Sequence, residues 1–331
     1  AKIMSRVSVL MAAYNAEKYI SKALDSLLSQ THKDLQIICI DDVSTDSTYS
    51  ILKEYAGKDR RIRVLQMERN SGQAKARNHG LAVADGDYIT MVDSDDWLSE
   101  DAIESAVSVI ENNENIDSVL FSLVYTDSSD NEPTPYPMRS NKELWSGDEA
   151  FKLSLDWSIH GLYLCKAELY RKYPFDDSCR LYSDDNTTRL HYLYSTNVGI
   201  CKGRYFYRQH QDEMTQKISI RRFDLLEANI SMKNSLINEK QNGEVIALFE
   251  RERWINFVGI YGLYREHKKL FNKSDDRTIR YLIRNSYDSM EPSLLPKQLK
   301  RKFGYIYFKS FTLFKIQAAI YFSLRKMFSK G

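Results

Sequence analysis

Residues 88–98, YITMVDSDDWL, set an apolar run directly against three carboxylates. The run, residues 88–92, reads as a buried strand, and Asp93, Asp95 and Asp96 crowd its end. Like charges this close repel, and desolvating them is costly unless a positive group sits among them. A turn or a helix N-terminus accounts for one of them. Three point to a divalent cation, a charged ligand, or both.

Outward from this stretch the first part of the chain alternates between two periods. Residues 7–13, 35–40, 62–66, 88–92 and 118–125 are short strand-like runs. Between the first two, Ile20, Ala23, Leu24, Leu27 and Leu28 recur at helical spacing. Thr48, Ile51, Leu52, Tyr55 and Ala56 repeat the pattern after the capping-type residues Ser44 to Asp46, and Ile103, Ala106, Val107 and Ile110 repeat it after Ser99. Strand, helix, strand, helix at this spacing predicts an α/β fold with a mostly parallel sheet flanked by helices. Ligands of such sheets bind beyond the carboxyl ends of the strands. Tyr14-Asn15, Asp41-Asp42 and Asp93 to Asp96 all follow strands and are expected to open onto one crevice. No G-x-G-x-x-G follows the first strand, which argues against a dinucleotide fold. Residues 131–137, with three prolines, read as a loop. From Phe223 onward helical patterns such as Trp254, Phe257, Val258 and Tyr261 dominate.

The strand-end residues suggest particular chemistry. Mg²⁺ takes oxygen ligands, commonly one or two carboxylates plus phosphate oxygens. Asp93 and Asp95 flanking Ser94 can put one carboxylate on a metal and the other on the metal's ligand. Asp96 is expected to open the next helix through Trp97, where its charge suits the helix dipole. The competing reading has all three acids merely capping that helix. At the end of the second strand, a carboxylate of Asp41 or Asp42 can accept hydrogen bonds from a nucleobase or a ribose, or can simply start the turn DDVSTDST. Tyr14 can stack on a base or pack in the ordinary way.

Composition bounds the alternatives. With 43 % hydrophobic and 28 % charged residues, the 331-residue chain can build a substantial core. Nothing approaches the roughly 18 uninterrupted apolar residues of a transmembrane helix, and with an apolar run as early as residue 7 no secretory signal is expected. Cys39, Cys165, Cys179 and Cys201 form no C-x-x-C pair, so reduced thiols and a cytoplasmic location are expected rather than a zinc site. The net charge of +2 hides an asymmetry, because residues 265–331 carry 16 Lys/Arg against 5 Asp/Glu. Residues 303–328 interleave aromatics with Lys309, Lys315, Arg325 and Lys326. This tail suits peripheral attachment to the inner face of a membrane, or equally a helix packed on the catalytic domain with a basic edge.

Three stretches, VSVLMAAYNAEKYISKALDSLLSQT (7–31), LQIICIDDVSTDST (35–48) and NSGQAKARNHGLAVADGDYITMVDSDDWL (70–98), resemble the family 2 glycosyltransferases of the GT-A fold. The resemblance runs unbroken over about residues 5–125. It implies a nucleotide-sugar-binding half, a D-x-D metal site for Mg²⁺ or Mn²⁺, and inverting transfer without a covalent intermediate. By the same resemblance Ala12 and Tyr14 line the nucleotide site, Asp42 contacts the base and Arg77 lies near the diphosphate. Asp93 contacts the ribose and metal region, and Asp95 ligates the metal. The family often has proline where Ala12 stands, a change that a backbone contact survives. FDDSCRLYSDDNTTRLHYL (175–193) resembles the segment that ends in Glu-Asp, with Asp184 in place of Glu and Asp185 as the general base. YRQHQDEMT (207–215) resembles the segment that closes over the diphosphate, where His210 and Thr215 touch phosphate or metal. The Q-x-x-R-W segment of processive members is absent, which implies single-sugar addition.

The expected organisation is a catalytic domain over residues 1–222, with a nucleotide-sugar half at about 5–125 and an acceptor half at about 126–222, followed by a helical, basic region over 223–331. Its partners are a nucleotide-sugar donor, a UDP-sugar foremost, and a glycan or lipid-linked acceptor, with no nucleic acid. Two rivals remain. A metal-dependent nucleotidyltransferase would show a Gly- and Arg-rich loop after the first strand, where this chain has AAYNAEKY. A non-catalytic nucleotide-sugar or glycan-binding protein would not need Asp93, Asp95 and Asp185 together.

Overall fold

The computed structural model describes residues 5–126, 132–209 and 218–328. In chain order the elements of the first part are β1 (Val7–Ala13), α1 (Ile20–Leu28), β2 (Leu35–Asp41), α2 (Thr48–Lys58), β3 (Ile62–Gln66), α3 (Gln73–Leu81), β4 (Tyr88–Met91), β5 (Trp97–Leu98), α4 (Ala102–Asn112), β6 (Ile116–Thr126), β7 (Thr134–Pro135), β8 (Leu144–Ser146), α5 (Gly147–Leu155), β9 (Tyr163–Lys166), α6 (Ala167–Lys172), α7 (Ser183–Leu193) and β10 (Asn197–Arg208). Helices follow: α8 (Asp224–Asn238), α9 (Gly243–His267), α10 (Lys273–Asp288), α11 (Lys297–Arg301) and α12 (Phe311–Phe328). The chain forms two compact units, one of residues 1–180 and 187–213, the other of residues 181–186 and 214–331.

One sheet organises the first unit, in the order β3-β2-β1-β4-β9-β6-β10-β5. β1 pairs parallel with β2 and β4, and β2 with β3, so four strands point their carboxyl ends to one edge. β10 and β6 are also parallel, while β9 runs antiparallel between β4 and β6. Both sheet faces are covered, which explains the continuous apolar runs. Val7, Val9 and Met11 of β1 and Ile37 and Cys39 of β2 face a core shared with α1 and α4. Leu10, Ile38 and Ile40 face the opposite core with α3, α5 and α6. α3 lies so close to β2 that a Cβ on Gly80 would come within 2.6 Å of the Ile40 side chain.

The structure departs from the sequence reading at several places. β4 ends at Met91, and β6 is longer than anticipated at both ends. α3 was not expected, since QAKARNHGL carries no stripe of large apolar residues. Within the expected loop over 131–137, Thr134–Pro135 pairs antiparallel with β6. Trp97–Leu98 is a strand rather than a helix start, because it pairs antiparallel with Phe206 and Tyr205 of β10. Trp97 stacks on Phe206 with ring centroids 5.3 Å apart.

The second unit is helical, with its own core. Trp254 is fully buried there, its ring within 6 Å of those of Phe257, Tyr287, Tyr307 and Phe314. No helix among the described residues is long and apolar enough to cross a membrane.

Candidate active site

β1 and β2 run in register, Ala13 beside Asp41, so the loops leaving them lie side by side. They are stitched together by short polar side chains. The Asn15 amide donates to Ser44 Oγ at 3.0 Å, and Asn15 Oδ1 accepts the Thr45 amide at 2.8 Å. Asn15 and Val43 both take left-handed backbone conformations, φ 50° and 62°, to make these turns. Tyr14 is half exposed at this rim, and Ala12 sits half-buried at the end of β1. Asp41 is wholly buried, and its carboxylate accepts the Ser44 amide at 3.3 Å and Gln66 Nε2 at 3.1 Å. That is a turn-forming role.

Asp42 reaches in the other direction. Its two carboxylate oxygens accept the backbone amides of Ser71 and Gly72, each at 2.8 Å, and its carbonyl accepts Asn70 Nδ2 at 3.0 Å. It thereby fixes residues 70–72 ahead of α3, where Gly72 has φ 91°, a conformation that L side chains rarely adopt. α3 carries Arg77, which is buried yet charged. Arg77 Nη2 donates to Asp93 Oδ1 at 2.6 Å and to Gln73 Oε1 at 3.1 Å, and its guanidinium lies 5.5 Å from the Phe175 ring centroid. Asp93 is about one-third exposed, so one face of this ion pair meets solvent.

Asp96 answers part of the question posed by the three carboxylates. It is buried, and its carboxyl accepts the Tyr205 hydroxyl at 2.9 Å and the Arg208 amide at 2.8 Å. The Tyr205 hydroxyl in turn accepts the Asp93 amide at 3.1 Å, and Arg208 Nε donates to the Asp95 carbonyl at 3.0 Å. Burial first, and then the charges of Asp93 and Asp95, push the Asp96 carboxyl well above the usual carboxylate range. Asp96 is therefore an internal tie between the strand-end turn and β10, and not a helix cap; the next helix starts only at Ala102. Arg208 also lies over the Trp97 ring at 4.8 Å, and Lys22 Nζ over the same ring at 3.4 Å.

These contacts bring Ala12, Tyr14, Asp42, Arg77, Asp93 and Asp95 to one edge of the first unit's sheet. Asp93 and half-buried Asp95 offer only carboxylate oxygens, the donors that Mg²⁺ and Mn²⁺ take. Arg77 already balances Asp93, which leaves a donor set suited to a cation shared with phosphate oxygens. Among the described residues no three His, Cys, Asp or Glu side chains converge as a metal cluster. Asp184 and Asp185 are half-buried in the first turn of α7, where carboxylates suit the helix dipole, and they group with the helical unit. There the Leu181 amide donates to Asp224 Oδ2 at 3.1 Å, Tyr182 takes φ 69°, and Asn186 Nδ2 donates to the Ala228 carbonyl at 2.8 Å. His210 and Thr215 lie outside the described residues. Sequence reasoning missed Tyr205 and Arg208; the one signal available was that Arg208 stands in YRQHQDEMT, two residues before His210.

Known proteins resemble this chain in sequence and in fold. Glycosyltransferase GlyG of Streptococcus pneumoniae is 27 % identical over 297 residues, covering 86 % of this chain and 96 % of that protein. The crystal structure of S. aureus TarS 1-349 in complex with UDP-GlcNAc has a TM-score of 0.73 at 18 % identity, over 98 % of this chain and 92 % of that one. GalNAc-T7, crystallised with UDP, GalNAc and Mn²⁺, has a TM-score of 0.51 at 12 % identity, over 63 % of this chain and 45 % of that one. These structural likenesses establish the GT-A type of α/β fold. Residues 8–179, just over half of the chain, match the family model described as Glycosyl transferase family 2, and the chain belongs to that family of glycosyltransferases.

Proposed function

We propose that the chain transfers one sugar from a nucleoside-diphosphate sugar, a UDP-sugar foremost, to a glycan or lipid-linked acceptor, with inversion at C1. The observation that carries this reading is the Arg77–Asp93 ion pair, 2.6 Å long and open to solvent on the Asp93 side, at the carboxyl end of a parallel strand. A buried cation held by a carboxylate at a strand end suits the recognition of a phosphorylated ligand. Ala12 and Tyr14 line the nucleotide, with the half-exposed Tyr14 ring available for stacking on a base. Each oxygen of Asp42 already accepts one backbone amide and keeps a second lone pair for the base.

Asp95, with Asp93, would hold Mg²⁺ or Mn²⁺. When bound, the cation supplies positive charge against the diphosphate as the C1–O bond breaks. Arg77 adds a fixed positive charge near that leaving group. The acceptor hydroxyl attacks C1 from the face opposite the diphosphate, its proton passes to the Asp185 carboxylate, and the nucleoside diphosphate leaves. Asp184 helps to hold that geometry or binds an acceptor hydroxyl. A cytoplasmic location, peripheral on the inner face of a membrane, accords with such a donor and a lipid-linked acceptor. The test is release of nucleoside diphosphate from a set of nucleotide sugars with Mn²⁺, with and without candidate acceptors. Acceptor-dependent release supports the reading, and none from any donor would refute it.

A further inference from the structure

Helix α12 packs on the helical unit by one face and, among the described residues, leaves a second apolar face uncovered. Phe314, Gln317 and Ala318 are buried, and the Phe314 ring lies 5.2–5.5 Å from those of Trp254, Tyr261 and Tyr287. Away from this contact, Leu313 is 51 % exposed, Ile316 53 %, Ile320 49 %, Leu324 38 % and Met327 65 %. Their spacing of three, four, four and three residues aligns all five along one stripe. Large apolar side chains left in a continuous stripe mark a surface that something covers.

Charge identifies the cover. After Glu291 the chain has no acidic residue, and its last 40 residues carry nine Lys/Arg. Lys309, Lys315 and Arg325 are exposed on and beside α12. Lys315 and Lys326 stand along one flank of the stripe, separated from it by Thr312, Ala319 and Ser323, within reach of their long aliphatic stems. An apolar stripe bordered by cations fits a helix lying in the plane of an anionic lipid surface. A second copy of the chain fits less well. Five half-exposed side chains on one helix fall short of the about 800 Å² per partner that a standard protein interface takes.

We propose that α12 docks the protein on an anionic lipid surface, with Leu313, Ile316, Ile320, Leu324 and Met327 entering the interface. This deepens the peripheral location included in the proposed function. Vesicle binding needs neither donor nor acceptor, so its failure would leave the transfer reaction standing. The test is co-sedimentation of the full chain with vesicles of phosphatidylglycerol and phosphatidylcholine, compared with phosphatidylcholine alone. The comparison variant combines Ile316→Ser, Ile320→Ser and Leu324→Ser, all at exposed positions, with its fold checked by an unchanged melting curve. The expected result is pelleting with the anionic vesicles at low salt, weakened at high salt, and at least about a tenfold lower partition for the triple variant. Lys315→Glu should weaken binding to anionic vesicles in the same assay. Protein that stays in the supernatant at low salt, or a folded triple variant that pellets like the parent, would overturn the proposal. So would a dimer that the triple variant abolishes, in a chain that ignores vesicles; that result assigns the stripe to a second copy.

Discussion

Asp93, Asp95 and Asp96 lie within four consecutive positions yet have different surroundings. Asp93 is held by Arg77, Asp95 by its carbonyl contact to Arg208, and Asp96 by Tyr205 and the Arg208 amide. The strand-end position of the first two is legible from the run that precedes them. The fate of Asp96 is not, because its partners lie more than 100 residues away and only pairing of β5 with β10 brings them near. The adjacent acids Asp184 and Asp185 divide in the same way in the proposed mechanism. Asp185→Asn keeps shape but removes the proton acceptor, so sugar transfer should fall about 10²–10⁴-fold while donor binding stays close to normal. Comparing single-turnover transfer and donor affinity of Asp185→Asn and Asp184→Asn checks this. If Asp184→Asn abolishes transfer and Asp185→Asn does not, the base is one residue earlier.

The strands were the most legible elements. Residues 7–13 and 62–66 form strands with the bounds their patterns suggest. β1 is buried on both faces and is written as a nearly continuous apolar run, whereas β3 is buried at Ile62 and exposes Arg63 and Gln66. α3 escaped notice for an equally physical reason. It packs on the sheet through Ala74, Ala76, Arg77 and Gly80, small residues and one charged one, and the usual signal is a stripe of large apolar side chains. Yet α3 carries Arg77, the buried cation paired with Asp93, and Asp42 fixes the segment leading into it. Asp42→Ala removes two charge-assisted hydrogen bonds from the Ser71 and Gly72 amides, a loss of about 2–4 kcal/mol in stability. It should also weaken binding of nucleoside diphosphate, with or without its sugar. Calorimetry showing unaltered nucleotide affinity in a folded Asp42→Ala protein would separate Asp42 from the nucleotide.

In the first unit, His160 and His191 are buried neutral, their pKa values lowered by desolvation to about 3 and about 4. His191 is fixed by the Tyr163 hydroxyl at 2.6 Å and the Tyr173 carbonyl at 2.8 Å. On unfolding both histidines return to ordinary values near 6.5, so the unfolded chain binds more protons and stability rises with pH across this window. Their contribution is present above about pH 6.5 and is lost as pH falls from there toward the folded values, by up to about 1.4 kcal/mol per pH unit for each histidine. Denaturant midpoints of the first unit's transition at pH 7, 6 and 5 should decline in that order. His191→Gln, a change that keeps a polar group but does not titrate, should flatten the decline, and an unchanged slope would remove His191 from the account. Across the molecule, the α/β class and the change to helices after Phe223 were readable from periodicity. The identity of sugar and acceptor was not, because such pockets are assembled from scattered side chains. The claim on which the rest depends is that the carboxylates after β4 hold a cation together with a nucleoside diphosphate. It is tested most directly by titrating nucleoside diphosphates, UDP first, into the full chain with Mn²⁺ and with chelator, for the parent and for Asp95→Asn. The account predicts Mn²⁺-dependent binding in the parent and at least about a tenfold loss in Asp95→Asn with the fold intact. Binding that is indifferent to Mn²⁺, and equal in the two proteins, would contradict it.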